Sequence, residues 1–355
     1  MNIAIDISPL KSGNFLQHRV RGTGFYLENL KVSLLRYFPD NKYTFFTRDK
    51  KLSKDIDLAH YPYFEPFFIT LPLFKKHKTV VTVHDLIPLV FLKEFPAGIR
   101  GKIKWQIQKY LLKNADAIIT DSQSSKRDII QYASILDTKV HVVYLAASEN
   151  FQKLRINDLR LKSAREKYKL PGKFALYVGD VTWNKNLPRL IEAIKKTNIP
   201  LVMVGKALTS TDFDKKNPWN QDLLKVQRLI KNNKNIILPG FVESSNLVAL
   251  YNLATFFIMP SLYEGFGLPI LEAMSCGCPV ITSREGSIPE VAGSAAFYVD
   301  AYDVTSIKKG INEVLSNIDL QKELSKKGIL QAKKFSWKKT AAQTIAVYEE
   351  IIRKQ

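Results

Sequence analysis

Cysteine is scarce in this sequence, which has only Cys276 and Cys278 among 355 residues. The two lie too close together for an ordinary structural bridge, which excludes a disulfide framework and is typical of a reducing compartment. They also lack the further ligands that a zinc site needs, and the five histidines show no metal-binding spacing. We therefore interpret both thiols as small buried side chains and expect chemistry without a metal or other cofactor.

Long apolar runs are absent as well. No stretch of about 18 consecutive apolar residues occurs, so no transmembrane helix is predicted. The first residues, Met-Asn-Ile-Ala-Ile-Asp, lack a charged region followed by a long apolar stretch, so we expect no signal peptide. Together with the few cysteines, this predicts a cytoplasmic protein.

Acidic residues are the minority among the charged ones. The chain has 53 basic and 33 acidic residues, a net charge of +20, and both halves are basic. Attraction to anionic lipid, to nucleic acid or to a phosphorylated small molecule would each explain this balance. A solvated basic surface without a specific partner is a further interpretation, and charge alone does not decide between them.

Short β-rich runs alternate with longer helical runs along the whole chain. Strands are predicted over residues 3–7, 43–47, 58–61, 79–83, 117–121, 140–143, 174–178, 201–204, 236–238, 256–259, 279–282 and 296–299. Helices are predicted over residues 24–37, 100–114, 124–132, 187–197, 223–232, 244–252, 269–275, 304–316 and 337–353. This alternation is typical of βαβ units, and twelve strands favour two Rossmann-like domains over a single sheet.

A domain boundary is predicted where Leu170-Pro171-Gly172 interrupts the pattern before a new strand. We expect an N-terminal domain over residues 1–168 and a C-terminal domain over 169–336. Residues 337–355 then form a terminal helix whose apolar side chains need another surface to pack on.

The strongest motif is Glu264-Gly-Phe-Gly-Leu-Pro269, followed by Glu272. A buried strand runs into a glycine turn, and Pro269 suits the first turn of a helix, whose free N–H groups favour an anion. Glu264 could accept hydrogen bonds from sugar hydroxyls, and Glu272 from those of a ribose. This pattern suits a nucleotide-sugar; the alternative is a surface glutamate and an ordinary loop.

A second loop runs from Gly179 through Lys185 to Pro188, between a predicted strand and a predicted helix. Open α/β sheets bind ligands in such loops, and Lys185 could neutralise a departing diphosphate. The alternative is an exposed loop lysine. Lys206, just after the next strand, is a weaker candidate of the same kind.

Two features of the first half complete the candidates. His84 follows a strand end, although a lone histidine there is more often structural. Gly22-Thr-Gly24 lies between the first strand and the first helix, but Leu27 occupies the third position of a dinucleotide fingerprint. A plain turn is therefore the alternative for Gly24.

The segment from Glu264 to Gly277 resembles the E-x7-E motif of the retaining glycosyltransferase family four, which has the GT-B fold. Gly277-Cys-Pro-Val-Ile, Ile288-Pro-Glu-Val and Phe335-Ser-Trp337 are similar to the same family. The resemblance covers most of the chain and is greatest to the bacterial mannosyltransferase-like branch of polysaccharide assembly.

This resemblance implies two Rossmann-like domains whose parallel sheets face an interdomain cleft, with the C-terminal helix packing back on the N-terminal domain. It implies that Glu264 binds the donor sugar, Glu272 the ribose and Lys185 the diphosphate. The remaining implied donor contacts are Gly24, His84, Gly179, Lys206, Phe241, Val242, Phe266, Gly267 and Leu268. Relatives often have an arginine near the lysine, where this chain has Asp180 and Asn184.

The implied activity is retaining transfer of a hexose, with mannose from GDP-mannose expected first, to a hydroxyl of a lipid-linked or polysaccharide acceptor. A UDP-sugar is the alternative donor. A basic nucleic-acid-binding protein or a non-catalytic nucleotide-binding protein is the alternative of another class. No nucleic-acid-binding module is recognisable, so no nucleic-acid partner is expected.

An anionic membrane surface is a further expected partner. Residues 63–74 are rich in aromatic side chains and precede Lys75-Lys76-His77-Lys78, but two prolines exclude a spanning helix. Residues 100–113 predict a basic amphipathic helix that contains Trp105. This favours peripheral attachment to the cytoplasmic leaflet; the alternative is an ordinary domain helix with a solvated basic face.

Overall fold

The computed structural model describes residues 1–10, 21–49 and 51–354. The chain divides into a first unit, residues 1–146 with 335–355, and a second unit, residues 147–334. The division therefore lies upstream of the boundary predicted after residue 168. The reason is that Asn252 of the second unit accepts a hydrogen bond from the Leu154 amide (2.8 Å) and donates one to the Gln152 carbonyl (3.0 Å).

The first unit is built on a parallel sheet in the order β2-β1-β3-β4-β5-β6. Its strands are β1 (Asn2–Asp6), β2 (Lys42–Phe46), β3 (Leu58–Tyr61), β4 (Lys78–Thr82), β5 (Ala117–Thr120) and β6 (Val140–Val142). Its helices are α1 (Arg21–Tyr37), α2 (Ile87–Val90), α3 (Gly98–Lys113) and α4 (Gln123–Ala133), and the helix α14 (Trp337–Arg353). Every residue of β3 and β5 is buried, as expected for strands covered on both faces.

The second unit repeats this organisation, with the strand order β12-β11-β10-β7-β8-β9, again all parallel. Its strands are β7 (Ala175–Val178), β8 (Leu201–Val204), β9 (Ile236–Gly240), β10 (Phe256–Met259), β11 (Val280–Thr282) and β12 (Phe297–Tyr298). Its helices are α5 (Leu159–Lys167), α6 (Leu187–Lys195), α7 (Lys206–Thr209), α8 (Gln221–Ile230), α9 (Ser244–Leu253), α10 (Leu268–Ser275), α11 (Ile288–Ala292), α12 (Val304–Ser316) and α13 (Ile318–Ala332). Two six-stranded parallel sheets confirm the predicted α/β class with two Rossmann-like units.

Helix α13 is an element that the sequence pattern did not predict. It begins directly after α12, and Asn317 serves both as the last cap of α12 and as the first cap of α13, accepting a hydrogen bond from the Leu320 amide at 2.9 Å. The residues that α13 buries are Leu324, Gly328 and Gln331, so its sequence has little apolar periodicity from which a helix could be predicted. In the part of the chain that the structure describes, no helix is long and apolar enough to cross a membrane.

Helix α14 packs against α1, β4 and β5 of the first unit. Its apolar face is buried, and Lys78 of β4 donates hydrogen bonds to the carbonyls of Ile351 (2.7 Å) and Lys354 (2.7 Å) at its end. A cation at this position satisfies carbonyls that have no partner within the helix. The last helix of the chain is thus part of the core of the first unit.

A buried hydrogen-bond chain runs inward from α14. The Tyr348 hydroxyl lies 2.6 Å from His60 Nδ1, His60 Nε2 lies 2.8 Å from Thr82 Oγ1, and Thr82 Oγ1 lies 3.1 Å from the Tyr26 hydroxyl. Burial, and then repulsion from His84, lowers the pKa of His60 to about 3, so the ring stays neutral. This series of hydrogen bonds joins α14 to β3, β4 and α1.

We predict that Tyr348→Phe destabilises the protein by about 1–3 kcal/mol, because it leaves a buried ring nitrogen of His60 without its partner. Urea denaturation measures the change. Tyr302→Phe, which removes a hydroxyl from a half-exposed ring, is the matched control and should change little. Equal effects of the two substitutions would contradict a stabilising role of the buried hydrogen bonds between Tyr348, His60 and Thr82.

Candidate functional site

The carboxyl ends of β7 and β10 form the centre of the candidate site in the second unit. The chain starts this sheet at β7, adds β8 and β9 on one side, and then crosses to β10 on the other. Open parallel sheets bind ligands where the strand order reverses in this way. The loops that follow β7 and β10, residues 179–186 and 260–267, contain Lys185 and Glu264.

Lys185 and Glu264 form a buried ion pair. The Lys185 Nζ lies 2.8 Å from both carboxylate oxygens of Glu264, and the side chains are only 18% and 6% exposed. The Ser261 hydroxyl donates a third hydrogen bond to Glu264 Oε1 at 2.6 Å. An ammonium group has three N–H donors, and the two contacts with Glu264 account for two of them.

Asn184 ties the two loops together. The side-chain amide of Asn184 donates to the Tyr263 carbonyl (2.9 Å), and the backbone carbonyl of Asn184 accepts from the Leu262 amide (2.7 Å). Thr182 orients the side chain by donating to Asn184 Oδ1 at 2.7 Å. Relatives often have an arginine near Lys185, and one such position in this chain is Asn184. This buried asparagine fixes the backbone on either side of the ion pair.

Asn186 closes the same loop from the other side. It has a left-handed backbone, with φ of 57°, which asparagine tolerates better than most residues. Its side-chain amide donates to the carbonyls of Pro260 (3.0 Å) and Ala301 (2.6 Å), and Arg189 donates to its oxygen (3.0 Å). All polar atoms of this buried side chain are paired, so the loop before α6 has one defined geometry.

The loop after β11 forms hydrogen bonds with the backbone of Glu264. Ser287 donates to the Glu264 carbonyl through its amide (3.2 Å) and its hydroxyl (3.0 Å). Gly286 has φ of +60°, and a Cβ there would lie 2.7 Å from the Glu264 carbonyl oxygen. Only glycine therefore fits against the backbone that presents this carboxylate.

Helix α10 starts immediately after the glutamate turn. Gly267, with φ of 91°, precedes its first residue, Leu268, and Pro269 stands in the first turn. Phe266 is buried beneath the turn. Pro269 has no N–H group and the Ile270 amide donates to the Gly267 carbonyl (2.9 Å), so Leu268 contributes the amide at the start of α10 that can receive an anion.

Glu272 lies in the body of α10 and is buried. Its Oε2 accepts a hydrogen bond from the Tyr251 hydroxyl at 2.9 Å, and the Tyr251 ring packs edge-on against Phe151 and Phe257. Burial raises the pKa of Glu272 to about 7, and the hydrogen bond from Tyr251 opposes the shift. The carboxyl group therefore changes charge close to neutral pH.

The remaining candidates follow neighbouring strands at the same edge of the sheet. Gly179 ends β7, where its amide donates to the Val204 carbonyl (3.0 Å) and where a Cβ would lie 2.7 Å from the Tyr177 hydroxyl. Lys206 is exposed at the start of α7, after β8. Phe241, which is exposed, and Val242, which is buried, follow β9.

In the first unit, His84 forms a close pair with Asp121. His84 follows β4, Asp121 follows β5, and His84 Nδ1 lies 2.7 Å from Asp121 Oδ2. Burial lowers the pKa of His84, but Asp121, Asp85 and the Pro62 carbonyl together raise it above its usual value. For the acidic Asp121, burial acts in the other direction and raises the pKa. The carboxylate fixes one ring nitrogen and with it the orientation of the imidazole.

The first helix begins three residues before its predicted start at Gly24, so no separate glycine loop precedes it. Helix α1 already begins at Arg21, so Gly22 and Gly24 occupy its first turn. Thr23, Tyr26 and Leu27 are all buried, and their spacing of three and four residues continues the helical face to this end.

Both cysteines are free and buried, as expected. Among residues 1–10, 21–49 and 51–354, no group of three or more His, Cys, Asp or Glu side chains is arranged to hold a metal ion.

Several solved structures share this fold over almost the whole chain. Sucrose-phosphate synthase from Thermosynechococcus elongatus has a TM-score of 0.74 at 17% identity and covers 100% of both chains. Anabaena HepE in complex with UDP and glucose has a TM-score of 0.71 at 16% identity over 98% of each chain. At these identities the likeness shows the fold alone, and it confirms the predicted GT-B class.

Family models match both units. The model "Glycosyltransferase Family 4" matches residues 12–148, and the model "Glycosyl transferases group 1" matches residues 159–331. O-antigen chain mannosyltransferase B of Escherichia coli is 31% identical over 303 residues, which are 82% of this chain and 75% of that protein. The chain therefore belongs to glycosyltransferase family four, in the branch of the bacterial mannosyltransferases, and the predicted resemblance is confirmed.

A longer relative matches over part of its length. Serotype-specific mannosyltransferase WbdA of Escherichia coli is 30% identical over 286 residues, which are 78% of this chain and 34% of the relative. The chain thus spans about a third of the length of WbdA.

Sequence reasoning missed four side chains that hold the candidate residues in place: Ser261, Asn186, Tyr251 and Asp121. A signal was present for Asn186, because an asparagine directly before Leu-Pro at a helix start favours a left-handed turn. The others meet their partners only through the fold.

We predict strong coupling between Lys185 and Glu264. Lys185→Met or Glu264→Gln alone should each destabilise the protein by about 3 kcal/mol, because a buried charge loses its partner. The double variant should lose clearly less than the sum of the single variants. Urea denaturation of all four proteins completes the cycle.

The matched control is the exposed pair formed by Glu192 of α6 and Lys196 directly after this helix, whose Nζ–Oε1 distance is 3.1 Å. Its coupling should not exceed about 0.5 kcal/mol. Similar coupling energies for the two pairs would show that burial does not strengthen the pair in the candidate site.

Proposed function

We propose that this chain transfers a hexose, with mannose from GDP-mannose as the first choice, from a nucleotide-sugar to a hydroxyl of a lipid-linked or polysaccharide acceptor. The observation that supports this most directly is the Lys185–Glu264 pair at the carboxyl ends of β7 and β10. The choice of mannose rests on the mannosyltransferases among the relatives.

The chemistry requires stabilisation of the departing diphosphate. As the bond from the anomeric carbon to the phosphate oxygen breaks, negative charge grows on the diphosphate. The Lys185 ammonium group and the Leu268 amide at the start of α10 are the proposed fixed donors for this charge and need no reorganisation during the reaction. We propose that they do this without a metal ion.

We further propose that the configuration at the anomeric carbon is retained. The acceptor hydroxyl attacks this carbon on the same face from which the diphosphate departs. The leaving phosphate oxygen takes the proton of the acceptor hydroxyl while the new bond to carbon forms. Glu264 suits the role of a holder of sugar hydroxyls rather than of a nucleophile, because Lys185 and Ser261 already engage its oxygens. His84, oriented by Asp121, is proposed to contact the donor sugar.

A donor panel tests the proposal. Thermal shift with GDP-mannose, UDP-glucose and related nucleotide-sugars should identify one donor, and its turnover should be measured next. Lys185→Ala should lower kcat by about 100-fold or more, because it removes a donor to the transition-state charge. Lys196→Ala, at the exposed residue directly after α6, is the matched control and should leave turnover unchanged.

The outcomes separate the alternatives. A shift with UDP-glucose and not with GDP-mannose would replace the proposed donor and keep the reaction class. Salt-sensitive RNA binding with no response to any nucleotide-sugar would overturn the proposal. Donor turnover that survives both Lys185→Ala and Glu264→Ala would refute the site.

Donor affinity should also depend on pH through Glu272. The pKa of its carboxyl group is raised to about 7, and the ionised form accepts ribose hydroxyls better than the neutral form. We therefore expect the Kd of the donor to fall as pH rises from about 6 to 8. Isothermal titration measures this dependence with the intact nucleotide-sugar, whose diester phosphates do not titrate in this range.

Glu272→Gln is the control for this pH dependence. It keeps the shape and one acceptor oxygen but cannot ionise, so its donor affinity should be weaker and nearly flat over the same pH range. A pH profile that is identical in wild type and Glu272→Gln would exclude Glu272 as its origin.

A further inference from the structure

The outer face of α3 in the first unit is apolar and exposed. Ile99, Ile103, Ile107 and Tyr110 are 81%, 57%, 40% and 66% exposed. At about 100° per residue, these four side chains fall within an arc of about 80°. The residues that α3 buries, Gly101, Gln108 and Leu112, lie on the opposite side. The helix therefore buries one face in the protein and exposes an apolar face to solvent.

Basic residues flank this exposed stripe on both sides. With the same geometry, Arg100 and Lys104 follow one edge, and Lys102, Lys109 and Lys113 follow the other. The sequence of α3 contains no aspartate or glutamate. An apolar stripe between two basic rows is the arrangement of helices that lie in the plane of a membrane interface.

The loop of residues 62–77 packs against α3 and reaches its end. Gln108 of α3 donates to Glu65 O (2.9 Å) and Thr70 Oγ1 (2.6 Å), and Lys75 donates to the Asn114 carbonyl at the end of α3 (3.2 Å). Phe74, which precedes Lys75, is 80% exposed. The loop thus adds a large exposed aromatic residue beside the end of the helix.

We propose that this α3 surface, formed by Ile99, Ile103, Ile107 and Tyr110 with the flanking basic residues, docks the protein on an anionic lipid bilayer. The apolar stripe enters the boundary between headgroups and acyl chains, and the cations meet the anionic headgroups. The sequence pattern pointed to Trp105, but this side chain is half-buried, and the isoleucines form the exposed face.

Charge and composition favour this occupant over two others. A nucleic acid would gain little from three exposed isoleucines, because its interfaces are polar and its bases stack on aromatic rings. A second copy of the chain, packed face to face through α3, would bring rows of like charge together. A bilayer with anionic headgroups satisfies both the apolar stripe and the cations.

Co-sedimentation of the whole chain with lipid vesicles tests the proposal. We expect binding to vesicles of equimolar phosphatidylglycerol and phosphatidylcholine, little binding to phosphatidylcholine alone, and a decrease with added salt. Ile99→Ser with Ile103→Ser should weaken binding roughly 10-fold or more, through the loss of buried apolar area. Arg100→Gln with Lys102→Gln should weaken it by a similar factor.

Matched controls lie in the second unit. Ile318→Ser with Leu330→Ser removes two exposed apolar side chains from α13, and Lys309→Gln with Lys326→Gln removes two exposed cations. Both control pairs should bind vesicles as the wild type does. Loss of binding in the controls equal to that in the α3 variants would overturn the proposal, as would failure of the wild type to bind anionic vesicles.

Two further readouts make the result specific. If RNA competes with vesicles and abolishes their binding, the α3 surface belongs to a nucleic acid and the proposal is refuted. If the protein dimerises and Ile99→Ser with Ile103→Ser removes the dimer, the surface belongs to a second copy and the proposal is likewise refuted. Vesicle binding is measured without donor, and the α3 variants should keep the donor affinity of the wild type. A failure of docking is therefore distinguishable from a failure of the proposed reaction.

Discussion

The buried ion pair between Lys185 and Glu264 is the interaction on which the candidate site depends. Removing two charges from water costs several kcal/mol for each, and the attraction between them offsets this only with good geometry and satisfied lone pairs. Both conditions hold here, since two contacts of 2.8 Å are supplemented by the Ser261 hydroxyl. The surrounding loops therefore have to be rigid, and Asn184 and Asn186 make them so.

The parallel sheets explain why such a pair can form between residues that are 79 positions apart. Each strand of the second unit ends at the same edge, so the loops after β7 and β10 meet although several elements separate them in the chain. The first unit uses the same principle to bring His84, after β4, to Asp121, after β5. In both units a cationic or ionisable group meets a carboxylate at the carboxyl edge of the sheet.

The elements were predictable where apolar runs had clear ends, as in β10 and in α12, whose first turn Asp303 caps. The motif around Glu264 was also readable, because glycine, proline and carboxylates stand in an order with a direct chemical meaning. Partners such as Ser261 for Glu264 and Tyr251 for Glu272 were not readable, since serine and tyrosine fit many environments. The start of α1 was missed because glycines suggested a turn, while burial of Thr23 and Tyr26 favours a helix.

The position of α14 has a consequence for the order in which the molecule is made. Its Tyr348 completes a hydrogen-bond chain to His60, 288 residues earlier, and its apolar face covers α1. A ribosome synthesises the whole second unit before it reaches this helix, so that unit can fold while the first still lacks part of its core. The first unit is therefore completed only after the second has been synthesised, and a protein interrupted before residue 337 would leave α1 uncovered.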